Sequence, residues 1–158
     1  MLRCRCRAMN ELILIVHILS AAAWIGGGLL GGFVAPRMAR SGAGASLGWA
    51  RVSAEAGTTY LNPAGILTVL TGIGLVLVSD LYDWSDTFVS IGLGVAIATA
   101  LIGALAHRPG SERIIAALES GDSKAAATEG KKAAIWGSVT AGLLIVAVVV
   151  MVLKTGTG

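Results

Sequence analysis

The sequence predicts an all-α protein, a four-transmembrane-helix bundle that uses the whole chain. Three observations carry that prediction. Apolar residues make up 55% of the chain and charged residues 13%, with a mean hydropathy of +0.80, far from the balance of soluble globular domains. The apolar residues gather into four runs, 12–35, 64–79, 87–106 and 133–153, and about 20 residues at about 1.5 Å rise cross a hydrocarbon core about 30 Å thick. Charged residues are confined to the termini and the links between runs.

Span one, 12–35, continues apolar through Val34, too long for the core of a cleaved signal peptide, so an uncleaved first span is preferred. A signal peptide is the rival, because a basic start and the small run Ala21, Ala22 and Ala23 fit that pattern. Ahead of the span, Met9, Asn10 and Glu11 look like a natural start, which makes residues 1–8 a non-native or disordered leader and 9–158 the membrane domain. Cys4 and Cys6 both fall in that leader, one residue apart. A Cys-x-Cys pair suits soft metals such as Cu(I).

A stretch of helical character, 46–58, leads to span two, where Asn62 and Pro63 read as N-cap and first helical residue. Span two is the shortest and needs residues 61–63 to cross comfortably. A short acidic link with Asp80, Asp83 and Asp86 follows, Asp86 being placed to cap span three. After span three, 111–120 reads as a short helix opened by Ser111 with Glu112 and closed by Gly121. Span four ends near Met151. The chain thus falls into two halves, each span, inner helix, span, a pattern that suggests a parallel repeat about the membrane normal. Trp49, Trp84 and Trp136 fall where interfacial rings anchor spans.

Charge sets the expected orientation. Arg37, Arg40 and Arg51 lie in the first link, and Arg108, Arg113, Lys124, Lys131 and Lys132 in the third, against three aspartates in the second. Basic loops stay in the cytoplasm, so both long links are expected inside a cell membrane and both termini outside. Arg3, Arg5 and Arg7 oppose this, another reason to set the leader apart. The basic face is explained by topology and anionic lipid headgroups, not by nucleic acid.

The candidate site is His17, an imidazole embedded in span one, since ionisable groups in hydrocarbon face protein or water and mark functional sites. On a wheel of about 100° per residue, His17, Ala21, Trp24, Gly28, Gly31 and Ala35 form one stripe and Ile15, Ile18, Leu19, Leu29, Leu30 and Phe33 lie opposite. Small residues let membrane helices approach, so the His17 stripe is expected to face the bundle. The other histidine, His107, sits at the far end of span three, roughly 20 Å away in depth, too far to share one iron with His17. Neutral imidazole ligates haem iron and copper. A cofactor site of His17 and Trp24 is therefore one expectation, with haem b or copper as cofactor. A metal site of His17, Met151, Asp80 and Asp83 is another, the thioether suiting copper and the carboxylates concentrating cations. The bland alternatives are an interhelical hydrogen bond for His17, a solvated turn for the aspartates and packing for Met151.

His17, Trp24, Gly26 and Gly27, then Pro36 and Arg37, then Asn62, Pro63 and Ala64 leading to Leu70, Thr71 and Gly72, and finally residues 151–154 form a pattern over nearly the whole chain from Met9. It resembles small integral membrane proteins of unknown function related to the copper-resistance D-like superfamily. The resemblance implies a four-helix bundle and copper or haem handling. Bacterial haem-containing protoporphyrinogen oxidases look like more distant relatives. Spans three and four here have no basic residue at mid-depth to match the polar pair expected of such an oxidase.

No phosphate-binding loop, zincin helix or Ser-His-Asp set is present, and nothing argues for an enzyme. The expected role is an accessory or scaffold subunit holding haem or a metal ion at His17, alone, with other membrane subunits or as a homo-oligomer. A copper transporter admitting the ion from the outer face, and a purely structural protein without cofactor, are the alternatives.

Overall fold

The computed structural model describes residues 2–78 and 83–155; Asp80 lies outside them, as do the side chains of Cys4 and Cys6. Among the described residues every regular element is helical: α1 (Leu2–Arg40), α2 (Ala43–Ala56), α3 (Asn62–Val78), α4 (Thr87–Ile102), α5 (Arg108–Glu119) and α6 (Ser123–Thr155). Four continuous helical rods result, Ala8–Arg40, Ala43–Val78, Thr87–Glu119 and Ser123–Leu153, each long and apolar enough to cross a membrane.

Two rods contain a helix join. Between α2 and α3 the chain widens into a π-helical turn, Gly57–Leu61, and between α4 and α5 into another, Gly103–His107. The amide of Asn62 donates to the Gly57 carbonyl, and that of Arg108 to the Gly103 carbonyl, each spanning five residues. A proline follows each turn, Pro63 and Pro109, and a proline inside a helix lacks the N–H its fourth predecessor needs and crowds that residue's carbonyl. The extra residue in the turn makes room for the ring without breaking the rod. The expected N-cap at Asn62 is accordingly corrected: Asn62 is helical, with φ −64° and ψ −49°. Ser111 also opens nothing. Its hydroxyl donates back to the His107 carbonyl at 3.0 Å, and Glu112 pairs with Arg108.

Apart from the link between α3 and α4, the rods break at Gly42, φ +109°, before α2, and at Gly121, φ +75°, between α5 and α6. Both are left-handed turns that favour glycine, and Gly121 ends the short helix as its sequence context predicts. Asp122 then caps α6 by accepting the Ala125 amide at 2.9 Å. Each half does contain span, short helix and span. The break precedes the short helix in the first half and follows it in the second, so the halves are not two copies of one unit.

In packing, α1 lies along α3 and α4 along α6, with α1 also touching α6 and α2 lying on α5. Val95, Leu144 and Ala147 form a small core with Trp24, Ile25, Ile91 and Leu143 around it. Large aliphatic side chains mostly point outward, as a bilayer allows, since lipid is as apolar as they are. The six residues placed opposite His17, from Ile15 to Phe33, are all exposed. Arg51 meets Glu119 at 2.7 Å and Arg113 meets Glu129 at 3.6 Å, so both long basic links gather at one end of the bundle.

Candidate functional site

His17 lies about 30 Å along α1 from the basic end, at about 1.5 Å per residue counted to Arg37. It faces α3, where Thr68, Thr71 and Gly72 share one face at helical spacing. Its Nδ1 lies 2.9 Å from the Thr68 carbonyl oxygen and 3.1 Å from Thr71 Oγ1. A carbonyl can only accept. The Thr71 hydroxyl spends its hydrogen on the Leu67 or Thr68 carbonyl, at 2.6 and 3.1 Å, and so presents a lone pair to the ring. Both partners therefore require the proton on Nδ1, an assignment made from the hydrogen-bond network. In the neutral ring the Nε2 lone pair is then free to ligate or to take a proton, and Nε2 has no hydrogen-bond partner among the described residues.

The neighbours hold that ring in place. Ser20, buried at 6% exposure, donates to the His17 carbonyl at 3.0 Å. Thr68 Oγ1 lies 3.0 Å from Ser20 Oγ and 2.8 Å from the Ala64 carbonyl. Gly72 lets the ring approach: a Cβ there would lie 3.1 Å from His17 Cε1. Two turns along, the Trp24 indole covers Gly65, where a Cβ would meet three ring atoms at 3.0–3.3 Å. The same indole touches the Val95–Leu144–Ala147 core, so Trp24 joins the α1/α3 pair to the α4/α6 pair.

The bundle-facing stripe differs slightly from the wheel. His17, Ala21, Trp24 and Gly31 are half-buried, but Gly28 and Ala35 are exposed. Ser20 and Gly27 take their places, and a Cβ on Gly27 would collide with Leu61 across the seam. The inward positions 17, 20, 24, 27 and 31 recur at alternating steps of three and four residues, a repeat of about 3.5 that drifts from the 3.6-residue wheel and moves the close approach from Gly28 to Gly27.

The other predicted site residues are dispersed. Met151 packs against α4, its methyl 2.8 Å from where a Gly92 Cβ would stand. Asp83 turns on itself, accepting the Ser85 amide at 2.8 Å and the Ser85 hydroxyl at 2.7 Å, while its amide donates to Asp86. Asp86 precedes α4 but makes no side-chain capping bond to it. His107 sits in the second π turn, Nε2 3.2 Å from Thr140 Oγ1 of α6. Among the described residues no three His, Cys, Asp or Glu side chains are grouped to share a metal ion. The chemistry offered at His17 is one imidazole nitrogen, oriented through its other nitrogen by a carbonyl, the arrangement usual for metal-bound histidine.

Three residues of this region were not expected as site residues. Thr68 and Thr71 follow the Asn62-Pro63 start by helical spacing, but nothing in the sequence pairs them with a residue 51 positions away. Asn10 lies seven residues before His17, on the same face of α1, and its Oδ1 is buried without a hydrogen-bond partner; that spacing was legible. No family model, curated protein or solved structure matches this chain.

Proposed function

We propose that this small multi-pass membrane protein is an accessory or scaffold subunit that holds a haem, or a metal ion, through Nε2 of His17. The observation that carries the reading is the Nδ1 contact at 2.9 Å to the Thr68 carbonyl, which leaves Nε2 with its lone pair. A structural histidine needs only one bonded nitrogen. A ligand needs that bond plus an open second nitrogen, and His17 has both. His17 would hold the haem through Nε2, with Trp24 as the aromatic wall further along the same face, and the group would supply one-electron chemistry. In this reading both basic links face the cytoplasm, by the charge rule, and the resemblance to the copper-resistance D-like superfamily points the same way. The test is the absorption spectrum of protein purified in detergent from haem-replete cells. A Soret band lost in His17→Ala is expected; no band in the native protein ends the haem reading.

The second reading, a copper transporter with His17 and Met151 as ligands, rests on the same open Nε2 of His17; Met151 packs by its methyl against Gly92 of α4. It predicts copper uptake that falls in both His17→Ala and Met151→Ala, in protein without a Soret band.

A further inference from the structure

At the basic end, between α4 and α5 on one side and α6 on the other, lies a cavity of about 350 Å³. Its two ends differ in chemistry. Toward the middle of the bundle the walls include Leu101, Leu105 and Trp136, and Leu105, 75% exposed, leaves that part open sideways to lipid. Toward the end of the bundle the walls are Arg113, Lys132 and Glu129. Glu129 accepts Lys132 Nζ at 2.6 Å and lies 3.6 Å from Arg113.

One carboxylate against two cations leaves the site net positive. The carboxylate is mostly covered, at 15% exposure, whereas Arg113 and Lys132 are 62% and 58% exposed and able to turn to a second anion. An apolar cleft open to the bilayer, headed by two cations and flanked by an interfacial tryptophan, matches the order of groups along a phospholipid. We infer that the cavity binds one anionic phospholipid, its phosphate between Arg113 and Lys132 and its acyl chain along Leu101 and Leu105 beside Trp136. The arginine fork and the lysine ammonium both suit a phosphate, which competes with Glu129 for them.

The experiment is native mass spectrometry of delipidated protein in detergent, titrated with phosphatidylglycerol or phosphatidylcholine. Phosphatidylglycerol should bind more tightly, and Arg113→Gln with Lys132→Gln should weaken it about tenfold or more, as loss of a charge-assisted contact implies. Lys124→Gln with Lys131→Gln, which removes equal charge outside the cavity, should leave it unchanged. Glu129→Gln should tighten it, a gain that no misfolded variant would give. Equal binding of the two lipids, an equal loss in the Lys124/Lys131 variant, or no tightening in Glu129→Gln would overturn the proposal. Displacement of the lipid by millimolar inorganic phosphate would also overturn it, marking a site for a free anion.

Discussion

Replacing His17 by asparagine separates the two jobs its ring can do. The asparagine amide nitrogen sits where Nδ1 sits, so His17→Asn keeps a donor for the Thr68 carbonyl, now at 2.9 Å, but has nothing in place of Nε2. His17→Ala removes both. An interhelical hydrogen bond in a membrane contributes about 0.6 kcal/mol on average and up to about 1.7. Shrinking a half-buried ring to a methyl adds a loss near the low end of the range of about 2–5 kcal/mol for buried large-to-small changes. His17→Ala should therefore cost about 3 kcal/mol and His17→Asn about 1–2 kcal/mol less than that. Thr71→Val, which leaves the Thr68 carbonyl in place, should cost under about 1 kcal/mol. Unfolding titrations in mixed micelles, followed by helical circular dichroism, measure the stabilities, and absorption spectra of the same samples report the cofactor. The expected pattern is stability partly restored by asparagine and cofactor lost with both variants. Asparagine no more stable than alanine would refute the Nδ1 donor; a native spectrum in His17→Asn would refute ligation by Nε2.

Four further outcomes follow from the structure. Gly65→Ala pushes a methyl against the rigid Trp24 indole; overpacking costs about 1–3 kcal/mol against a helix-propensity gain of about 0.5–1, so the unfolding midpoint should fall. Gly94→Ala meets nothing within 4 Å and should raise it. Asn10→Leu removes a buried acceptor that has no partner, a group that costs about 1–3 kcal/mol, so stability should rise by about 1 kcal/mol; a loss would mean that Asn10 has a partner in the membrane. The hydrogen bond from Lys132, joined by the charges of Lys132 and Arg113, holds the Glu129 carboxyl below the usual carboxylate range. Its stabilising effect is present above the ordinary glutamate pKa and is lost as pH falls through the lowered one. The acid limb of stability against pH should therefore flatten in Glu129→Gln, as thermal scans across that limb would register.

Composition and hydropathy run length determine the four spans without any tertiary information, because a bilayer demands long uncharged helices whatever their neighbours are. The outward face of α1 was equally readable: Ile15, Ile18, Leu19, Leu29, Leu30 and Phe33 are all exposed, since helical periodicity is a local property. Gly121 was readable for the same reason. The π turns left a trace that a periodicity search does not catch. A glycine stands six residues before a proline in both Gly57…Pro63 and Gly103…Pro109, but apolar runs of this length look alike whether the helix is regular or widened.

The seam was decided by tertiary structure alone. That Gly27 and not Gly28 meets Leu61, that Trp24 covers Gly65, and that His17 gives its Nδ1 proton to Thr68 depend on the register of two antiparallel helices joined through a turn and a proline. Register comes from close packing of small residues across the seam, and small residues are spread through this chain too evenly, with 22 glycines, for sequence to choose among the alternatives. The sequence determined that an imidazole is embedded among the spans; the packing decided that it faces α3 with one nitrogen held and the other open.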